Sequence, residues 1–383
     1  MSWRTMFMAI VLLTVSCSGD QEIPAISEHD LLVVGAEKDL NLISALSSSH
    51  GGFYIGTQSK ETGRQKIRID YYDSSFNHQW STLLGADLDN RLLRIFEDPD
   101  GNLLVSGMSY GLEKENEPLD VHRFWTPVVF LLDDMGKVQW HKNLDFNLIA
   151  FKDVGTNERM ADIIRDASGN YILGGEMVDQ ADLQGMLFKV NSSEPYSRYY
   201  ASNNNDGKVE AVFEGDNLYF MMEYNQYNGG DATLQFKTLS KLMPAGANRF
   251  KTVYSEPWPW GNSYSNGRIS SFKQQLSNDF VYNYIFADHI TRYTWHTAAS
   301  YTSKEEILLP FGPVESCFQV SNRRFVFKDS HGTLIQTNGQ FELDGTLETT
   351  WDIDELVQLE NGEYVGFTSR DNFVYAVKLG KIQ

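Results

Sequence analysis

The stretch DPDGNLLVSGM, residues 98–108, is a tight polar turn followed by an apolar strand, and related stretches recur along the chain. Aspartate, glycine and asparagine suit the turn because they readily adopt the backbone conformations that tight turns need. An apolar strand also precedes most of these turns, which is the signal of a β-hairpin. The related stretches are SSHGGFYIGTQ (48–58), DASGNYILGGE (166–176), EGDNLYFMME (214–223), LSNDFVYNYIF (276–286), SNRRFVFKDS (321–330) and ENGEYVGFTS (360–369).

A third strand, a second turn and a fourth strand follow several of these hairpins. Examples are KIRIDYYDSSFNHQWSTL (66–83) and TPVVFLLDDMGKVQWHKNL (126–144), in which Trp80 and Trp140 occupy the same place in the fourth strand. Apolar and polar residues alternate with a period near 2, and no stretch has the pattern of an amphipathic helix. The repeating unit is therefore four antiparallel strands.

Four-stranded units in series predict an all-β protein, namely a β-propeller of about seven blades. A single blade cannot bury both of its faces, so blades stack around a ring and bury one another. Aromatic residues make up 13% of the chain and suit the layers between blades. The units between residues 205 and 350 are irregular, which leaves six or eight blades as alternatives.

The two ends of the repeat region predict how the ring closes. The last unit starts at Asp352 and supplies only about three strands. The stretch DLLVVGAE (30–37) is a strand without a hairpin partner. We expect it to complete the last blade as its outer strand, because closure removes open sheet edges. The propeller domain is thus predicted over residues 30–383.

The units resemble those of bacterial propellers of the quinoprotein-like and delta-60-repeat kind, whose repeats carry a DG-[NG]-hydrophobic-strand-G pattern. Asp100-Gly101-Asn102 and Ser168-Gly169-Asn170 carry the resemblance, which is clearest over residues 86–200. The resemblance implies an architecture, from which function does not follow. No ligand pattern for a cofactor accompanies it, and we predict none.

Cys17 lies at the end of a short apolar run in AIVLLTVSCSGDQEIP, residues 9–24. The run is too short to span a bilayer and is typical of a secretory signal peptide. Thr14-Val15-Ser16-Cys17 resembles a bacterial lipobox, although leucine is usual where Thr14 stands, and the acidic stretch after it resembles Bacteroidota lipoproteins. The resemblance implies a signal peptide (1–16), a lipidated Cys17 and an anchor segment (17–29). An ordinary cleaved signal peptide is the alternative.

These features predict an exported outer-membrane lipoprotein that faces the periplasm or the cell surface. The predicted partner is the membrane, to which a lipid anchor at Cys17 would attach the protein, because several acyl chains give stable attachment. The formal net charge of −19 argues against nucleic acid as a partner, because a phosphate backbone would be repelled. If Cys17 carries lipid, Cys317 is the only other cysteine, and we predict that it is a buried, inert thiol.

Loop lengths predict which face of the propeller binds a ligand. Connections between the second and third strands of a blade share a face with the connections between blades, and the long segments fall there. They are residues 109–127, 144–159, 225–232, 255–268 and 287–297. Binding residues concentrate on such elaborated loops. Candidate ligand-binding residues are Trp258, Trp260, Tyr264, Tyr227, His122, Arg123, Trp125, His289 and Arg292.

Each candidate group has a structural alternative. Trp258 and Trp260 suit stacking on a sugar ring; the alternative is that both fold down over the gap between blades and cap the core. The segment with His122, Arg123 and Trp125 is either a charged lid or a solvated insertion. Strand alternation would place His289 and Arg292 on different sides.

Metal and catalytic signals are weak. Residues 87–90 (DLDN) and 203–207 (NNNDG) contain oxygen ligands for Ca²⁺, but neither has the spacing of an EF-hand loop, and turn formation explains both. We predict no metal site. The sequence has no motif of a known catalytic site in a fitting context, so enzymatic activity is uncertain. Three hypotheses remain: a non-catalytic binding lipoprotein for a glycan, peptide or envelope protein, a polysaccharide lyase or glycosidase, and a structural subunit of an outer-membrane assembly.

Overall fold

The computed structural model describes residues 31–34, 41–61, 64–85, 89–110, 125–144, 159–179, 182–193, 197–200, 206–215, 217–227, 233–242, 250–258, 268–276, 279–296, 301–370 and 373–382. These residues form 28 strands in seven sheets of four. No helix occurs among them, and none therefore has the length and apolarity that crossing a membrane requires. The predicted seven-bladed β-propeller is confirmed, and the alternatives of six or eight blades are wrong.

The first strand, β1, comprises Leu31–Val34. Blade 1 consists of β2 (Asn41–Ser47), β3 (Phe53–Glu61), β4 (Arg64–Tyr72) and β5 (His78–Leu84). Blade 2 consists of β6 (Asp89–Glu97), β7 (Leu103–Tyr110), β8 (Trp125–Leu132) and β9 (Val138–Asn143). Blade 3 consists of β10 (Arg159–Arg165), β11 (Tyr171–Asp179), β12 (Asp182–Val190) and β13 (Ser197–Tyr200). Blade 4 consists of β14 (Asp206–Glu214), β15 (Leu218–Tyr227), β16 (Thr233–Leu242) and β17 (Phe250–Trp258).

Blade 5 consists of β18 (Arg268–Leu276), β19 (Asp279–Phe286), β20 (His289–His296) and β21 (Tyr301–Leu308). Blade 6 consists of β22 (Val314–Ser321), β23 (Arg324–Asp329), β24 (Thr333–Asn338) and β25 (Leu343–Glu348). Blade 7 consists of β26 (Glu355–Gln358), β27 (Tyr364–Arg370), β28 (Phe373–Gly380) and β1. The first strands of neighbouring blades contact one another around the centre of the ring, and the fourth strands form its rim.

The ring closes as the sequence predicts. Strand β1 pairs antiparallel with β28 as the fourth strand of blade 7, with Leu31 opposite Val377 and Val34 opposite Val374. Both edges of β28 are therefore paired, and the chain's first described strand joins its last into one sheet.

In the short turns, the first aspartate accepts hydrogen bonds from backbone N–H groups of the same turn. In Asp98, Oδ1 accepts the N–H groups of Asp100 and Asn102 at 2.9 and 2.8 Å. Asp73, Asp133 and Asp166 do the same with the residues two and four positions later. An aspartate that satisfies two turn N–H groups explains why the motif recurs.

Trp80 connects blade 1 to blade 2. Its Nε1 donates to the carbonyl oxygen of Asp134 at 2.9 Å, and its ring lies against the turn that contains Gly136. A Cβ on Gly136 would lie 2.5 Å from the Trp80 ring, and the φ of +75° also favours glycine there. Trp140, in the same place on blade 2, packs against Tyr171 of blade 3 with ring centroids 6.0 Å apart.

Two predicted loops are shorter than the sequence indicates. Residues 287–297 are predicted as a long loop, but the structure has only Ala287 and Asp288 between β19 and β20. The alternating β-branched and aromatic residues of ITRYTW form strand β20 instead. Residues 255–258 are likewise part of β17, where Pro257 lies opposite Phe236. The proline is tolerated because β17 is the outermost strand of blade 4.

Candidate functional site

The described strands that the three longest connections join all end on one face of the propeller. The connections are residues 111–124, which join the second and third strands of blade 2, and residues 144–158 and 259–267, which join blades 2 to 3 and 4 to 5. The hairpin turns on the opposite face are short, as in residues 48–52, 98–102 and 166–170. We call the first face the long-loop face. The strands that these three connections join belong to blades 2 to 5.

Several predicted site residues lie outside the described residues, namely Cys17, His122, Arg123, Trp260 and Tyr264. Asp87 and Leu88 of the first predicted Ca²⁺ candidate, and 203–205, three of the five residues of the second, lie outside them as well. The predictions for these positions stay predictions.

The other three aromatic candidates are at strand ends on the long-loop face. Trp125 begins β8, Tyr227 ends β15 and Trp258 ends β17. In blade 4, Tyr227 lies opposite Thr233 and Trp258 lies opposite Gln235, which is two residues further along β16. The backbone of blade 4 thus brings Tyr227 and Trp258 to the same edge, and the connection that contains Trp260 and Tyr264 begins there.

His289 and Arg292 do not form a shared site. The ring of His289 stacks on Phe286 with centroids 4.5 Å apart, and its Nδ1 lies 2.7 Å from Oδ1 of Asp288. Arg292 points into the joint between blades 5 and 6. Its Nη2 donates to the carbonyl oxygen of Gly339 at 2.6 Å, and its guanidinium lies 4.9 Å from the centre of the Phe341 ring.

Those contacts give Arg292 a structural role. Its Nε donates to Oδ1 of Asn283 at 3.2 Å, and burial lowers the pKa of its guanidinium. Its Nη1 also lies 4.0 Å from Oε2 of Glu305 on β21, and the side chain is only 12% exposed, so Arg292 is held within the joint between the blades. Arg292 therefore lies in strand β20 at the joint between two blades, and not in an open binding loop as predicted.

The innermost strands contain a charged centre that the sequence analysis missed. Asp162 on β10 accepts hydrogen bonds from the Val212 N–H at 2.8 Å and from Lys273 Nζ at 2.5 Å. Because Val212 belongs to blade 4 and Lys273 to blade 5, one carboxylate joins three blades. The Asp162 side chain is only 6% exposed, so its charge depends on these donors.

A second carboxylate lies on the first strand of blade 7. Burial raises the pKa of Glu355 to about 7, while Arg94 on the first strand of blade 2 acts to lower it and Asp354 to raise it. Arg94 and Asp162 each follow a shift in strand register, between Leu92 and Arg94 and between Met160 and Asp162. Such bulges redirect side chains. The centre of the ring is therefore charged, with acidic and basic side chains from different blades.

The remaining candidates have structural partners. Asp89 accepts the Gln65 N–H at 2.8 Å, and Asn90 Nδ2 donates to the Gly85 carbonyl oxygen at 2.9 Å. Within the described part of the chain, no group of three or more His, Cys, Asp or Glu side chains could hold a metal ion. Cys317 is buried, as predicted, and burial raises the pKa of its thiol well above the usual range.

Comparison with known proteins shows the fold alone. No protein-family model matches the sequence, and no curated protein matches it. The β-propeller domain of Cps50 (Swd1) from Myceliophteria thermophila has a TM-score of 0.52 and 11% identity, and the match covers 90% of this chain and 98% of that chain. BamB from Moraxella catarrhalis has a TM-score of 0.41 and 12% identity, with 87% and 83% of the two chains covered. A protein of unknown function from Bacteroides caccae has a TM-score of 0.37 and 10% identity, with 82% and 83% covered.

Proposed function

We propose that this chain is an exported lipoprotein whose propeller is a rigid binding module, and that it binds a glycan on the long-loop face over blades 2 to 5. The observation that carries the proposal is the difference between the two faces. The strands that the connections 111–124, 144–158 and 259–267 join end on one face, whereas the hairpin connections at the other face are short. Long loops on a rigid scaffold are where binding residues concentrate.

Aromatic residues favour a glycan over other ligands. Tyr227 and Trp258 end β15 and β17, the two strands that flank β16 in blade 4, and Trp260, Tyr264 and two glycines belong to the connection that follows β17. Flat aromatic rings offer large apolar faces with a polar edge, which suits stacking on sugar rings. A peptide or an envelope protein is the alternative ligand and is an outcome of the test below.

The lipobox-like segment supports attachment to a membrane. Residues 18–30 separate Cys17 from β1, and a fully extended segment of this length reaches at most about 45 Å. A propeller on such a tether would lie close to the membrane and still have freedom to orient the long-loop face toward a ligand.

The test is a binding and turnover screen of residues 22–383, which include every described strand, against envelope and host polysaccharides. A Trp258→Ala/Trp260→Ala double variant is compared with Met135→Ala, which removes an exposed apolar side chain from a turn on the opposite face. We expect binding without turnover, lost in the double variant and kept in Met135→Ala. Absence of polysaccharide binding in all proteins would contradict the glycan proposal, and crosslinking in intact cells would then search for a protein partner.

A polysaccharide-degrading enzyme is the second candidate, and Glu355 is the observation that favours it. A carboxyl group with a pKa of about 7 is suited to general acid catalysis near neutral pH. In this case the screen shows turnover, and Glu355→Gln abolishes turnover while binding persists. A structural subunit of an outer-membrane assembly would show neither binding nor turnover, and would crosslink to a protein.

A further inference from the structure

Blade 5 holds a histidine that contacts both an aspartate and a serine, at the ends of strands opposite the long-loop face. Asp279 begins β19 and lies directly opposite His296, which ends β20. Ser303 on β21 lies opposite Thr294, two residues before His296. Residues two apart in a strand share a face, so the register places all three side chains on one side of the sheet.

The connectivity of the three side chains is that of a nucleophile with an oriented base. Nδ1 of His296 lies 3.0 Å from Oδ2 of Asp279, and Nε2 lies 3.1 Å from Oγ of Ser303. A carboxylate can only accept hydrogen bonds, so it holds the proton of a neutral imidazole on Nδ1. Nε2 is then the acceptor for the Ser303 hydroxyl proton. This relation between nucleophile, base and orienting group defines the serine–histidine–aspartate arrangement.

A similar cluster on blade 1 has the wrong connectivity and serves as an internal comparison. His78 Nε2 lies 2.7 Å from Oγ of Ser81, but the Ser81 hydroxyl donates to Oδ1 of Asp70. The serine proton is thus committed to the carboxylate, and His78 can only donate to Ser81. The same three residue types are present, yet no base faces the hydroxyl.

We propose that Ser303, His296 and Asp279 form a hydrolytic site for esters of small acyl groups. Ser303 Oγ attacks the ester carbonyl carbon and its proton moves to His296 Nε2. The bond to the leaving alcohol then breaks, and the alcohol takes that proton. Water attacks the resulting acyl-serine, giving up a proton through His296, and the carboxylic acid and the free serine are released.

The position of the site favours acyl groups that project from a larger molecule. The side chains of His296 and Asp279 are 28% and 34% exposed, so a substrate reaches them from solvent. Strand β21 is the outermost strand of its blade, and the outer edge of such a strand presents N–H groups that face away from the sheet. The proposal assigns N–H groups of this edge as the donors for the oxygen that becomes negative during the attack.

The test uses the full chain, a fluorophosphonate probe and p-nitrophenyl acetate, with the labelled peptide identified by mass spectrometry. Expected results are probe attachment at Ser303 and ester hydrolysis that Ser303→Ala and His296→Gln each reduce at least about 100-fold. Ser81→Ala is the matched control and should keep wild-type rates. Asp279 acts as a positioning residue, so Asp279→Asn should lower kcat with little change in KM and in the melting temperature.

Two results would overturn the proposal. One is the absence of probe at Ser303 in a protein whose near-ultraviolet circular dichroism shows the native fold. The other is labelling of Ser303 at an unchanged rate in His296→Gln, which would make it an ordinary exposed serine. The polysaccharide screen is independent, since Ser303→Ala should leave binding on the long-loop face intact.

Discussion

Replacing Glu355 by glutamine should stabilise the protein at alkaline pH. Burial raises the pKa of Glu355 from 4.5 to about 7, so the folded state disfavours its charge. Between these two values the unfolded chain loses the proton first, and the free energy of unfolding therefore falls as the pH rises. Below pH 4.5 both states hold the proton, and the effect vanishes. Glutamine cannot ionise, and the variant escapes the loss.

The magnitude follows from the size of the pKa shift. Each unit corresponds to about 1.4 kcal/mol, so the full effect above pH 7 is about 3 kcal/mol. This value already includes the attraction to Arg94, which offsets part of the shift that burial causes. A gain of this order raises the melting temperature by a few degrees in a chain of this size.

The assay is differential scanning calorimetry of both proteins at pH 4.5 and at pH 8. Glu363→Gln is the matched control on the same blade, because Asn361 and Lys378 lower the pKa of Glu363. A carboxylate whose pKa is lowered by folding stabilises the folded state at every pH above its pKa in the unfolded chain. Glu363→Gln removes this contribution, so the control should melt at a lower temperature than wild type at pH 8. A Glu355→Gln variant that melts lower than wild type at pH 8 would refute the reasoning.

Three further predictions concern the joints between blades and the closure of the ring. Gly136→Ala should lower the free energy of unfolding, measured by urea denaturation, by about 1–3 kcal/mol, because the new Cβ would meet the Trp80 ring and the φ of this residue is positive. An unchanged urea midpoint would contradict this turn geometry. Tyr171→Phe should also lower the free energy of unfolding by about 1–3 kcal/mol, because it removes a 2.6 Å hydrogen bond to the buried carboxylate of Asp98. A melting temperature equal to that of wild type would count against that bond. Deleting residues 1–37 removes β1 and exposes the edge of β28, so the product should melt earlier and self-associate in size-exclusion chromatography; a monodisperse product with the wild-type melting temperature would show that β1 is dispensable.

The blade count and the closing strand were accessible from the sequence because both depend on local patterns. Each turn rich in Asp, Gly and Asn sets its own hairpin, and DLLVVGAE is a short apolar run with no neighbouring hairpin strand to pair with. The error over residues 287–297 has an equally local cause. Asp288 and His289 look like loop residues, yet the β-branched and aromatic residues after them favour a strand.

The interior charges and the blade 5 cluster could not have been predicted in the same way. Asp162 and Lys273 are 111 positions apart, and only the stacking of three blades brings them together. The relation of His296 to Ser303 depends on strand register, because a shift of one residue would turn the serine to the other face. With 51 acidic residues in the chain, composition alone does not single out Asp279.

The pairing of β1 with β28 also determines when this protein can become a closed ring. Leu31 can pair with Val377 only after Val377 has been synthesised, so the pairing of β1 with β28 cannot form before that point. Contacts of such high sequence separation form slowly, because the intervening chain must first be ordered. Until then, both partner edges are open to other strands. We therefore expect ring closure to come late in folding and the interval before it to be the time of greatest exposure to aggregation.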